Sequence, residues 1–214
     1  MLLCATSLFA PALKAQQLEL SSYFKAASKT QASPDSDGFV RRWKLLDPID
    51  KPNRTNAVFT DTYLRDAFSE YPGNASVPKD GQKLKVGEQE LVWHAYDSEL
   101  YNVKLFRFAT CTGKQKYGVL FWAVTEIICD EDIKDVRLAV GSNSASMWWL
   151  NGDEVLLLSG DRRMVMDDAT SKRITLKKGS NILRGAVING PGMSDFCVRF
   201  LKEDGTPVKN FKVK

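Results

Sequence analysis

The 214-residue chain holds one histidine and four cysteines, and it has no run of five basic residues. Each shortage removes a class of function. With His94 as the single imidazole and no Cys-x-x-Cys pair, a zinc site built from His and Cys has no basis. Thirty Lys and Arg are interleaved with 26 Asp and Glu for a net charge of +4, which sets nucleic acid aside as a partner. No apolar stretch reaches the roughly 18 residues of a membrane-crossing helix, so no transmembrane span is expected. A G-x-S-x-G nucleophile elbow is also missing. Its nearest approach, "GSNSAS" from Gly141, has Ala145 where a second glycine must permit the sharp turn.

What remains is an ordinary globular composition, 43 % hydrophobic and 26 % charged, at a length that suits one domain and a short leader. Residues 1–15, "MLLCATSLFAPALKA", carry the apolar region and small-residue end of a secretory signal peptide without its basic start, so the true start is expected upstream. This implies export, to the periplasm or the cell surface. Residues 16–37 are polar and rich in Ser and Ala, and read as a linker with room for a helical turn. The domain proper is expected over 38–214. Beyond the leader, Cys111, Cys129 and Cys197 are too irregular for a disulfide framework. They read either as buried apolar side chains or, for Cys111 and Cys129, as one bridge in an oxidising compartment.

Local pattern predicts an all-β protein with one helix. "FTDTYLRDAFSEYPG" is the helix, capped by Thr60 or Asp61 and stopped by Tyr71-Pro72-Gly73. "FVRRWKLLDPI" begins a series of short strands, including Tyr101–Phe108 and Val208–Val213, separated by Asp-Gly, Asn-Gly and Lys-Gly turns. Nine to eleven strands in about 175 residues suit an antiparallel β-sandwich or jelly roll. "GVLFWAVTEII", apolar at nearly every position, reads as a central strand covered on both faces. In "SMWWLNGDEVLLLSGDRR", Asn151-Gly152 predicts a type I′ hairpin, and the alternation of a strand sends Trp148 and Trp149 to opposite faces.

That alternation singles out Trp148 or Trp149 as a ring free to cover the apolar face of a sugar. Asp161 and Arg162, after the hairpin, and Asn189 and Asp195, in the last glycine-rich loop, would bond its hydroxyl or carboxylate groups. An acyl-hydrolase triad would have to join His94 to Ser98, Ser142 or Ser144, although a strand-end histidine bonded to backbone is the commoner arrangement. Asp130 and Asp132 read as solvated turn charge, with a structural calcium site as the alternative. No other cofactor is expected.

The run "VRLAVGSNSASMWWLNGDEVLLL…ITLKKGSNILRGAVINGPGMSDFCVRFLKEDGTPV" resembles the galactose-binding-like jelly-roll domains appended to bacterial polysaccharide-degrading enzymes. The shared features are Gly141-Ser142 to Trp149-Leu150-Asn151-Gly152, Leu176 to Asn181, and Phe196 to Gly205. Upstream, "GFVRRWKLLDPIDKPNRTNAVFTDTYLRDAF" and "VPKDGQKLKVGEQELVWHAYDSELYNVKLFRFA" resemble Bacteroides-type proteins labelled acetylxylan esterase. The resemblance implies a jelly roll that binds polysaccharide of the xylan type, alone or beside a catalytic esterase or glycosidase. The serine elbow of such esterases is missing, so the implied role is a non-catalytic accessory domain. The alternatives are an acetylxylan-type esterase and a structural or protein-interaction module.

Overall fold

A computed structural model describes residues 19–50, 76–190 and 192–214. The leader and the helix expected from Thr60 lie outside the described residues. The architecture is the expected antiparallel β-sandwich. The larger sheet runs in the order β1(Phe24–Ala26), β5(Gln89–Ser98), β2(Arg42–Leu46), β6(Val119–Cys129), β12(Gly179–Asn189), β8(Ser146–Leu150), β9(Asp153–Leu158). Attached to it are β3(Ile49–Asp50) and β14(Lys212–Val213), both on β6, and β4(Lys83–Val86) on β5. The smaller sheet centres on β7(Ile133–Ser142), flanked by β13(Phe196–Leu201), β10(Ala169–Thr170) and β11(Ile174–Leu176).

Strand β6 is central, and β12 pairs with it from Gly179↔Cys129 to Asn189↔Val119. Its continuous apolar run is explained by two buried faces. Val119, Phe121, Ala123 and Ile127 enter the core between the sheets with Leu138, Phe196 and Phe200, whereas Leu120, Trp122 and Val124 join a second buried cluster on the other face.

The stretch read as a linker contributes β1 to the sheet edge, with Phe24 in the core and Ala32 bridged to Val213. Arg42 fastens it. That guanidinium makes a two-toothed pair with Asp97 at 2.7 Å on each side and also donates to Thr30 O and Ser28 Oγ.

Two expected strands differ. Residues 101–108 hold instead a single bridge, Val103↔Phe196, followed by helix α1 (Leu105–Cys111), whose Leu105, Phe108 and Ala109 are buried at helical spacing. The alternation of Tyr101, Val103 and Leu105 imitates a strand, and the helical period starts only at Leu105. Of Val208–Val213 only Lys212–Val213 form a strand, on β6, while Val208 N–H donates to Phe200 O at 2.8 Å. Cys111 and Cys129 are unbridged, and with Cys197 they are buried free thiols. Burial pushes the Cys197 thiol up to about 11, so it stays protonated at neutral pH.

Candidate functional site

The hairpin forms as its sequence dictates, with Asn151 at φ 54° and Gly152 at 95°. Trp148 and Trp149 do point to opposite faces, but each face has its own core. Trp148 is 0 % exposed and packs edge-on against Trp43 (6.0 Å) and Phe196 (5.2 Å), its Nε1 donating to Ser146 Oγ at 3.0 Å. Trp149 is 2 % exposed beside Trp122 at 5.7 Å. Neither offers a ring to a ligand, which corrects the stacking role expected of one of them. Alternation fixed the directions of the two rings but could not reveal that the sheet is buried on both sides.

The polar candidates fall at one end of the sandwich. There the chain leaves β7 for β8, β9 for β10 and β12 for β13, and the three loops are stitched together by backbone. Asn143 N–H donates to Asp195 O at 3.0 Å, and Ser144 N–H donates to Arg162 O at 3.1 Å. Gly141 permits this closeness, since a Cβ there would run into the Val165 carbonyl. Asp161 is exposed on the middle loop. Arg162 is committed within that loop, bonding Asp168 at 2.6–2.7 Å and donating to Ser159 O at 2.9 Å.

The β12–β13 loop holds the unusual chemistry. Among the described residues, four buried side-chain oxygen atoms lack a hydrogen-bond partner, and three of them are here: Asn189 Oδ1, Ser194 Oγ and Asp195 Oδ1. The other oxygen of Asp195 accepts from Lys104 Nζ at 2.7 Å and from Asn102 Nδ2 at 3.4 Å. Burial pushes the Asp195 carboxyl above its ordinary range, and the Lys104 ammonium only partly offsets this. Asn189 donates through Nδ2 to Lys116 O and, at 3.4 Å, to Gly192 O. All three residues are buried, so these oxygens lie beneath the loop surface.

The approach to β6 forms the rim. Tyr117, 43 % exposed, packs against Phe106 at 5.8 Å, and the Lys116 ammonium lies over both rings, 5.0 and 5.7 Å from their centroids. Sequence reasoning missed Asn102, Lys104, Ser194 and Tyr117. Lys104 sits on a stretch that imitates a strand, and its pairing with Asp195 spans 91 positions, which no local pattern encodes.

The acyl-hydrolase set is not assembled. His94 Nε2 meets Asp47 Oδ1 at 3.1 Å, and the same carboxylate takes Lys114 Nζ at 2.9 Å and the Val92 N–H at 3.0 Å. Burial pushes the Asp47 carboxyl up, but these bonds outweigh it and hold the group below its usual range. Ser142 Oγ is paired with Ser146 Oγ at 2.8 Å on a strand of the other sheet, and Ser144 is buried. Ser98, four positions along β5, is roughly 13 Å from His94 by strand rise and donates to Leu100 O and Asn102 O. Asp130 and Asp132 sit at the β6–β7 turn, where Asp132 Oδ1 accepts from Lys178 N–H at 2.8 Å. Among the described residues no three His, Cys, Asp or Glu gather in a way that could hold a metal ion.

No family model matches the chain, and no curated protein matches it. Solved structures similar to it include the PA14 sugar-binding domain from an RTX adhesin, at 8 % identity over 80 % of this chain and 96 % of that one, TM-score 0.46. The PA14 domain of the MpAFP antifreeze protein is similar at 8 % identity over 89 % of this chain and 95 % of that one, TM-score 0.47. A β-glucosidase from Kluyveromyces marxianus matches at 17 % identity over 83 % of this chain and 17 % of its own length, TM-score 0.38.

Proposed function

We propose that this chain is a non-catalytic carbohydrate-binding β-sandwich whose site is the loop end formed by residues 141–146, 159–168, 189–190 and 192–195. The observation that carries the reading is the concentration of orphan acceptors, Asn189 Oδ1, Ser194 Oγ and Asp195 Oδ1, in one loop. Their residues are buried, so sugar hydroxyls would reach these oxygens through ordered water rather than by direct contact. Asp161 and Arg162 border the same end, and the neighbouring Tyr117 offers the ring that the two tryptophans do not. The ligand class we assign is plant polysaccharide of the xylan type, following the sequence resemblance. The setting is an exported protein acting beside a catalytic esterase or glycosidase.

Titration of the isotopically labelled chain with xylo-, arabinoxylo- and pectic oligosaccharides tests this by amide shift changes. Shifts clustered on the three loops and on residues 115–118 are expected. Shifts confined to other surfaces, or none with any sugar, would contradict it. A protein-interaction module is the second reading, favoured by the burial of all five tryptophans and by the exposure of Val165, Met166 and Met193 on these same loops.

A further inference from the structure

Resting on the carbohydrate reading, we propose that the sugar taken here is acidic, a uronic acid residue stacked on Tyr117 with its carboxylate on the Lys116 ammonium. The cations around the site differ in one respect. Lys104 is paired with Asp195, Lys114 with Asp47, Arg107 with Glu19 and Arg162 with Asp168, at 2.6–2.9 Å. Arg163 on the β9–β10 loop and Lys116 have no carboxylate partner among the described residues, and of the two only Lys116 lies over aromatic rings. Its ammonium is held instead over the faces of Phe106 and Tyr117. Ring quadrupoles fix a cation in place without neutralising it, so it keeps its attraction for an anion.

The location is equally specific. The Lys116 carbonyl accepts from Asn189 Nδ2, so the backbone that carries the cation is tied to the loop with the orphan acceptors. Gln115 Nε2 donates to Tyr117 O at 3.1 Å and steadies the rim. A uronic acid matches both halves of this surface. Its C–H face is flat and apolar for the phenol ring, its carboxylate projects from the ring edge toward an adjacent cation, and its hydroxyls remain to reach the buried Asn189 and Asp195 through ordered water. A neutral pyranose would use the ring and the acceptors but leave Lys116 unanswered.

Calorimetry of the full chain tests this with a uronic-acid oligosaccharide and the same oligosaccharide reduced to its neutral alcohols. The acidic form should bind about fivefold more tightly at low salt, a difference that about 0.5 M salt should erase. Lys116→Gln should remove the difference between the two ligands. Tyr117→Ala should weaken both ligands and Tyr117→Phe neither. Equal affinities in the wild type, or a preference that survives Lys116→Gln, would overturn the assignment of acidic sugar and leave the carbohydrate reading standing. No binding of either form, together with none to neutral xylo-oligosaccharides, would overturn both.

Discussion

Gly185 and Trp148 form a cross-strand pair between β12 and β8, and the indole lies where a Gly185 side chain would be. A methyl group there would enter the ring, and with Trp43 and Phe196 on the other sides the ring has nowhere to move. Gly185→Ala should therefore cost about 1–3 kcal/mol in urea unfolding; an unchanged midpoint would mean that the packing is looser than described. Two carboxylates make opposite claims about pH. Asp47 is held below its ordinary value, so its contribution is complete above the unfolded pKa of about 3.9 and is lost as pH falls through the folded one. Asp195 is raised, so its increment favours the fold below the ordinary value and is lost as pH rises through the folded one. Urea midpoints followed across acid and neutral pH should show Asp47→Asn flattening the acid limb and Asp195→Asn flattening the decline just above the ordinary carboxylate range. Parallel curves for both variants would contradict these assignments.

The β8–β9 hairpin was legible because its turn chemistry is local: Asn151 and Gly152 can take positive φ, and the strands on either side are apolar. Its register hides more, since a bulge between Trp148 and Trp149 sets Trp148 opposite Leu156 and Trp149 opposite Glu154. The Lys-Lys-Gly-Ser-Asn connection was legible as a turn, but its fastening was not. Asn181, fully buried, accepts from Lys177 N–H at 2.9 Å and from Asn151 Nδ2 at 3.0 Å, and donates to Lys177 O at 2.6 Å. One side chain thus joins two turns 30 positions apart. Asn181→Ala should cost about 1–3 kcal/mol and raise amide exchange at Lys177; exchange unchanged at that amide would remove the link. Helix α1 was illegible for the opposite reason. Its seven residues are too few to show a period against the alternation that precedes them, and tertiary contact with the core decides the outcome.

Across the whole molecule, the sheet count and the all-β class follow from strand periods and turn residues, and β6 was recognisable as central because apolar side chains fill both of its faces. The same sheet defeated the stacking expectation. Strand alternation alone turns one tryptophan away from the core between the sheets and toward solvent, whereas Trp149 enters the second cluster with Trp93 and Trp122. Asp161, Arg162, Asn189 and Asp195 lie on loops at one end of the sandwich, because loops at strand ends gather there. What local sequence could not supply was the rim between Asn102 and Tyr117, which reaches the site only through the long-range pairs Lys104–Asp195 and Lys116–Asn189. The central claim, that this loop end holds polysaccharide, is tested most directly by affinity electrophoresis through gels containing xylan, arabinoxylan, pectin or galactan. The chain and its Tyr117→Ala and Trp149→Ala variants would be run side by side. Retardation by at least one acidic polysaccharide, abolished by Tyr117→Ala in a folded protein, is expected. Unretarded migration in every gel, or retardation that Tyr117→Ala leaves intact, would contradict it.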